Sequence, residues 1–400
     1  MTRAMKLGKP SGERPVLPMR TQSASNSPNA KLRSSLWIGL RFRLAFKIAA
    51  KSRNGRCFPI GLLGIALAVV GTGVAACASG EAPEPTSLQS VLAAYENDTH
   101  KDLHAVVVIQ KGEVAVEHYY HGGDRETLVD VRSAGKSVTS LLLGMALDQG
   151  AIESLDDPVA KYWPETKDSA IGSVRLADVL TMRSGLAADA DDPKSPGYED
   201  YLDEAEDPLA FVKSVPRAEA PGVKYRYNSL AAYISGVVIA KATGMGLEDF
   251  ARANLFEPLK IGRWEWQEDR AGMTKGQGNL FLTARGFARI GEMVLNGGAY
   301  QGRQLVSGTW IEESLKPRFD ISDGDPFASG YGYYWYHQTY EFNGRTIEVS
   351  FASGNGGNKI YVVPEFGLVV SILSRAYGQG YGQRRSEAIL KAILATQASP

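Results

Sequence analysis

The sequence predicts an α/β fold of the α+β kind: one antiparallel sheet built from both chain ends, flanked by helices, with a mainly helical region inserted between. Three observations predict it. Two β-rich runs, Ala105–Gln110 and Val114–Tyr120, open the regular part, and three more close it, around Thr346–Phe351, Lys359–Val363 and Leu368–Leu373. Between them, roughly over 133–297, apolar residues recur mainly at helical spacing, with long irregular connections. A last helix places Ile389, Leu390, Ile393 and Leu394 on one face.

The first 86 residues read differently from the rest. The chain has 44 basic and 44 acidic residues, but residues 1–57 hold 13 of the basic ones and a single acid, Glu13. This leader is longer than an ordinary signal n-region, and its Ser23–Pro28 segment has the composition of disorder. The written sequence is therefore expected to begin upstream of the true start. An uncharged apolar run, Phe58–Ala76, follows a basic flank and exits into small residues, the pattern of an export signal. The exit Val74-Ala75-Ala76-Cys77 resembles the bacterial lipobox, which implies lipidation of Cys77 and a membrane-anchored lipoprotein on the periplasmic or extracellular side. An uncleaved membrane helix is the plainer alternative. Residues 78–86 form a polar, proline-bearing tether, and 87–400 the folded domain.

In that domain, Leu88, Val91, Leu92 and Tyr95 recur at helical spacing, and Lys111-Gly112-Glu113 joins the first two strands as a hairpin. Residues 58–400 hold 31 basic and 43 acidic residues, a balance that argues against nucleic acid as a partner. Cys57 and Cys77 both precede residue 80, so the domain has no thiolate for a disulfide, a nucleophile or a metal site. The histidines at 100, 104, 118, 121 and 337 lack a nearby acid cluster, so no metal and no cofactor is expected.

The chemistry begins at Asp130–Ser137, which opens a helix running through Leu147 to a stop at Gly150. Gly135-Lys136-Ser137 is not a phosphate loop, because position 130, where that motif needs glycine, is aspartate. Ser133 and Lys136 instead form Ser-x-x-Lys: three residues apart on a helix, they share a face within hydrogen-bonding reach. The helix N-terminus favours an alkoxide there, and lysine serves as a base once burial lowers its pKa. A second helix is entered through Pro221-Gly222-Val223-Lys224-Tyr225-Arg226-Tyr227-Asn228-Ser229, which can set a tyrosine beside the lysine. Near the C-terminus Ser353-Gly354-Asn355-Gly356-Gly357-Asn358 makes a glycine-rich strand edge that a substrate carbonyl can approach. Gly-x-Ser-x-Gly is absent, leaving a Ser-His-Asp triad without local support.

Taken together these segments resemble the serine β-lactamase and penicillin-binding-protein superfamily, in its class C-like branch of esterases and amide hydrolases that includes 6-aminohexanoate-dimer hydrolase. Leu180–Leu186, Leu282–Gly291 and Gly330–Tyr333 resemble further family segments in the same order. The resemblance spans about 88–395 and implies a β-lactamase/transpeptidase-like fold. It implies Ser133 as the acylated nucleophile, Lys136 as its proton acceptor and Tyr227 as the second-motif tyrosine, with Tyr225 the alternative. Ser229 stands where many members carry asparagine. Asn355-Gly356-Gly357 aligns with the third motif, usually Lys-Thr-Gly or His-x-Gly, and the N–H groups of Ser133 and Asn358 are expected to form the oxyanion hole. Ser229, Asn355, Gly356 and Gly357 are the expected substrate contacts. Uncharged Asn355 favours short-chain esters or linear amides, with β-lactams or D-alanyl-D-alanine peptides as alternative substrates and an idle binding domain on the same fold as the alternative to an enzyme.

Overall fold

A computed structural model describes residues 87–397 apart from Asn343. The basic leader, the apolar run, Cys57, Cys77 and the tether lie outside the described residues. The main sheet has seven strands: β1 Leu103–Gln110, β2 Glu113–Tyr119, β3 Gly330–Tyr331, β4 Tyr336–Phe342, β5 Arg345–Gly354, β6 Asn358–Val363 and β7 Leu368–Ser374. Their spatial order is β2-β1-β7-β6-β5-β4-β3, and every pairing is antiparallel. The N-terminal hairpin thus docks on the last strand of the chain, with Leu103 opposite Ser374 and Gln110 opposite Leu368.

The centre of the sheet is buried on both faces, which is why β1, β6 and β7 read as nearly unbroken apolar runs rather than alternating ones. Helix α1 (Leu88–Ala93) and the last helix, α5 (Gly380–Gln397), pack together and against the sheet, and α4 (Ala284–Leu295) packs across β1, β7 and β6. Helices α2 (Gly135–Asp148) and α3 (Leu230–Thr243) pack on each other at the centre of the inserted region, with a contiguous buried segment of each. Helix α3 stops at Gly244, whose φ of 69° takes the left-handed conformation that glycine tolerates. The sheet from both chain ends with a helical insertion therefore agrees with the expected fold.

Two parts were not anticipated. The aromatic stretch Tyr331–Tyr336 is a tight turn joining β3 to β4, with Tyr334 at φ 62° and its carbonyl accepting from Ser137 Oγ at 2.6 Å. A small sheet, Val129–Asp130 paired to Leu280–Leu282 and that to Trp264–Trp266, delivers the chain to the start of α2. Strands of two or three residues are too short to announce themselves by periodicity.

Candidate active site

Ser133 lies in a single 3-10 turn, Arg132–Ala134, between that small sheet and α2. The turn is held from three sides. Arg132 takes φ 54°, unusual for a side-chain-bearing residue, and its N–H donates to Asp130 Oδ1 at 2.8 Å while its guanidinium pairs with the same carboxylate at 3.1 Å. The guanidinium stacks 4.4 Å from the Tyr377 ring centroid, and Tyr377 donates its hydroxyl to the Asp130 carbonyl at 2.9 Å. Burial pushes the Asp130 carboxyl up, opposed by the Arg132 N–H and guanidinium. Asp130, Arg132 and Tyr377 brace the Ser133 turn, and nothing in the sequence pattern marks Tyr377 for that work.

Lys136 is 2% exposed. Its Nζ donates to Ser133 Oγ at 2.9 Å and to the Gln277 carbonyl at 2.9 Å, and it sits 5.3 Å from the Tyr227 ring centroid. Thr139, one turn further along α2, donates to the Gly276 carbonyl at 2.7 Å, so this face of the helix is stitched to the 276–278 loop. Gln277 was missed by sequence reasoning. The two flanking glycines were its only signal: Gly276 and Gly278 let the loop approach α3 and Arg132 closely enough for the lysine to reach a backbone carbonyl.

The segment before α3 separates its two tyrosines. Tyr227 stands over Lys136 and 6.5 Å from the Tyr336 ring, whereas Tyr225 packs at 5.3 and 5.2 Å on Phe319 and Tyr331 in an aromatic wall, where burial drives its hydroxyl pKa up. Arg226 is turned away into ion pairs with Asp189 and Glu219, each at 3.1 Å. Asn228 caps α3 by accepting the Ala231 N–H at 2.9 Å, and Ser229, 2% exposed, donates to Glu199. Ser229 borders a small cavity of about 100 Å³ that also touches Ser133, Gln277 and Asn355. A larger cleft of about 600 Å³ is bordered by Tyr225, Tyr227, Tyr336, Ser353 and Lys359, with Asp189, Asp191, Asp320 and Asp323 among the residues at its solvent side.

The glycine-rich edge does not sit as expected. Gly356 and Gly357, at φ 91° and 88°, form the tight turn between β5 and β6. A Cβ on Gly356 would meet Tyr377 at 2.9 Å, and one on Gly357 would meet the Gly382 carbonyl at 2.3 Å, so both pack toward the start of α5 rather than toward a substrate. Asn358 is fully buried on β6, hydrogen-bonded between β5 and β7, with Oδ1 accepting the Ser374 N–H at 2.9 Å. That placement does not suit an oxyanion donor. Asn355 does face the Ser133 cavity, but its side-chain oxygen is committed to the Gly378 N–H at 2.7 Å. The residue pressed against the Ser133 turn is Gly354, whose Cβ would fall 2.0 Å from the Val131 carbonyl oxygen and 3.1 Å from the Ala134 nitrogen. Strand β4 ends its pairing at Phe351, so Ala352–Gly354 run past it with no strand on that side. The strand edge beside Ser133 is thus Ala352-Ser353-Gly354 followed by Asn355, three residues earlier than the motif expected from sequence.

A family model described as Beta-lactamase matches residues 93–394. The chain belongs to the beta-lactamase family. This beta-lactamase-family domain is 27% identical over 226 residues to the 6-aminohexanoate-dimer hydrolase of Paenarthrobacter ureafaciens, covering 53% of this chain and 56% of that one. It is 25% identical over 201 residues to a Beta-lactamase of Escherichia coli strain K12, covering 50% of each. It spans about half the length of the curated relatives it matches. Its fold is shared with a penicillin-binding protein homolog from Caulobacter crescentus (TM-score 0.62, 19% identity, 77% of this chain and 96% of that one). A family VIII carboxylesterase gives the same TM-score of 0.62 at 19% identity over 78% of this chain and 98% of that one.

Proposed function

We propose that this protein is a serine hydrolase that works through an acyl-enzyme on Ser133. The observation that carries the reading is the contact of Lys136 Nζ with Ser133 Oγ at 2.9 Å, made by a lysine that is 2% exposed. In the free-amine form Lys136 takes the Ser133 proton as Oγ attacks the carbonyl, and Tyr227 helps pass that proton to the departing oxygen or nitrogen. The Ser133 N–H and an N–H of the Gly354–Asn355 edge beside it are the donors assigned to the developing oxyanion in this reading. Water then releases the acyl group.

Short-chain esters or linear amides are the proposed substrates. The edge that flanks Ser133 reads Ala352-Ser353-Gly354, with no lysine, and Asn355 beside it carries no charge. No residue of that edge itself offers a charge-assisted bond, about twice as strong as a neutral one, to the carboxylate that a rigid β-lactam holds beside its scissile bond. We further propose that Cys77 anchors the domain to a membrane after export. Labelling with a fluorophosphonate, followed by kcat/KM for p-nitrophenyl butyrate and nitrocefin at pH 8, tests the enzyme and its substrate together. Absence of label rejects the hydrolase, and a preference for nitrocefin rejects the ester reading.

A further inference from the structure

The wall of the 600 Å³ cleft contains a cation that the proposed reaction does not use. Lys359, the second residue of β6, lies directly opposite Ser353 of β5, so the two side chains leave the sheet on the same face. Its Nζ donates to Ser353 Oγ at 2.8 Å. Lys359 is 2% exposed, and its ammonium lies 4.5 Å from the Phe351 ring centroid and 5.9 Å from those of Phe327 and Tyr361. The acids that act on it are Asp325, across the cleft, and Glu387, on α5, and neither forms an ion pair with it among the described residues. Glu387 is paired with Lys391 at 2.9 Å, and Asp325 accepts the Phe327 N–H at 2.8 Å. Burial without a counter-ion pushes the amine down to about 7.

A lysine is a costly filler for such a place. Methionine or leucine would occupy the space between the rings without the penalty of an uncompensated charge, so packing alone does not account for it. What the ammonium lacks is an anion, and the cleft beside it is open. We propose that Lys359, with the Ser353 hydroxyl beside it, forms a carboxylate-recognising subsite that selects ester or amide substrates bearing an acid group on a flexible chain. This deepens the hydrolase reading and rests on it. One carboxylate oxygen accepts from the ammonium and the other from the serine hydroxyl. A flexible chain can bend back to this recessed wall, whereas a rigid bicyclic ring holds its carboxylate beside the scissile bond.

Three esters separate the outcomes: neutral p-nitrophenyl butyrate, mono-p-nitrophenyl glutarate with its acid on the acyl chain, and 3-(4-butyryloxyphenyl)propionate with its acid on a flexible arm of the leaving group. At pH 6.5, one acid ester is expected to outperform its neutral counterpart in the wild type. In Lys359→Met its kcat/KM is expected to drop roughly 10- to 100-fold, the scale of one charge-assisted bond, with the neutral ester changed less than about 3-fold. The advantage fades in the wild type by pH 8.5, as the amine loses its proton. Ser353→Ala, which keeps the cation, is expected to cost the same acid ester a few-fold and serves if Lys359→Met does not fold. Equal losses on all three esters, or no loss on either acid ester, overturn the subsite. Glutarate binding, read as a thermal shift at pH 6.5 in wild type and Lys359→Met, does not depend on turnover. A Lys359-dependent shift in a protein that hydrolyses nothing keeps the subsite and rejects the hydrolase, and no shift rejects the subsite.

Discussion

Gly354→Ala is the sharpest test of where the substrate edge lies. The φ of Gly354 is not among the positive ones, so alanine is tolerated by the backbone conformation itself, and only the new methyl matters. That methyl would stand 2.0 Å from the Val131 carbonyl oxygen, against about 3.3 Å for the near limit of carbon–oxygen contact. The obstacle is backbone on both sides, so β5 and the Ser133 turn must separate by roughly 1 Å. Overpacking of this kind costs ~1–3 kcal/mol of stability. A domain of this size survives that, whereas displacing a catalytic constellation by 1 Å costs on the order of 10²-fold in rate. We therefore expect a folded protein, by circular dichroism, whose melting temperature falls by a few degrees. Its fluorophosphonate labelling rate and its kcat/KM for p-nitrophenyl butyrate are each expected to fall about 10²-fold. Wild-type labelling kinetics in Gly354→Ala would show that the β5 edge does not bear on Ser133, and the oxyanion site would have to be sought elsewhere.

Ser133→Ala is expected to abolish acyl labelling and turnover, and Lys136→Ala to lower kcat/KM by about 10²–10⁴-fold; full labelling of Ser133→Ala rejects the mechanism. Tyr227→Phe is expected to slow the ester reaction about 10²-fold, the lower reach of proton-transfer catalysis, while Tyr225→Phe, in the aromatic wall, leaves it nearly unchanged; the reverse order reassigns the tyrosine. Lys359→Met is expected to raise stability most at or below pH 6. The folded-state pKa of Lys359, about 7, lies under the unfolded one, so the cost of the buried charge is complete below 7 and vanishes as pH rises toward about 10. A melting-temperature difference between variant and wild type that stays flat from pH 6 to pH 9.5 contradicts this. Cys77→Ser is expected to leave an unprocessed precursor and abolish metabolic palmitate labelling, and retained label rejects the anchor.

The Ser133–Lys136 contact was legible because the two residues lie three apart across the 3-10 turn that runs into α2, where helical spacing turns sequence separation into contact. The third motif was not. A glycine-rich run marks a place where backbone comes close, but it does not say which backbone: Gly356 and Gly357 approach α5, and only Gly354 approaches Val131. Which side of a turn faces the site depends on where the neighbouring strand stops, here β4 at its pairing with Phe351, and that is a tertiary fact. Lys359 was hidden for a related reason. A lysine at the start of a strand reads as a solvated residue, and only the rings of Phe327, Phe351 and Tyr361 around it reveal a dry one. Gln277 contributes a carbonyl, which every residue has, so no side-chain pattern announces it.

The docking of β1 against β7 also governs when the candidate site is completed. Leu103 and Ser374 are neighbours in the sheet yet stand at opposite ends of the domain's synthesis. Closing so long a loop is entropically expensive and gives a slowly folding, high-contact-order topology. Helix α2 and the 3-10 turn before it, which carry Lys136 and Ser133 three residues apart, can form from local contacts long before β5, β6 and β7 have been made. The edge at Gly354 and the brace at Tyr377 arrive only with the last quarter of the chain. A chain still being made therefore carries Ser133 without the edge and the brace that surround it in the fold, and a product truncated before β7 lacks Tyr377 at that turn however well its helices form.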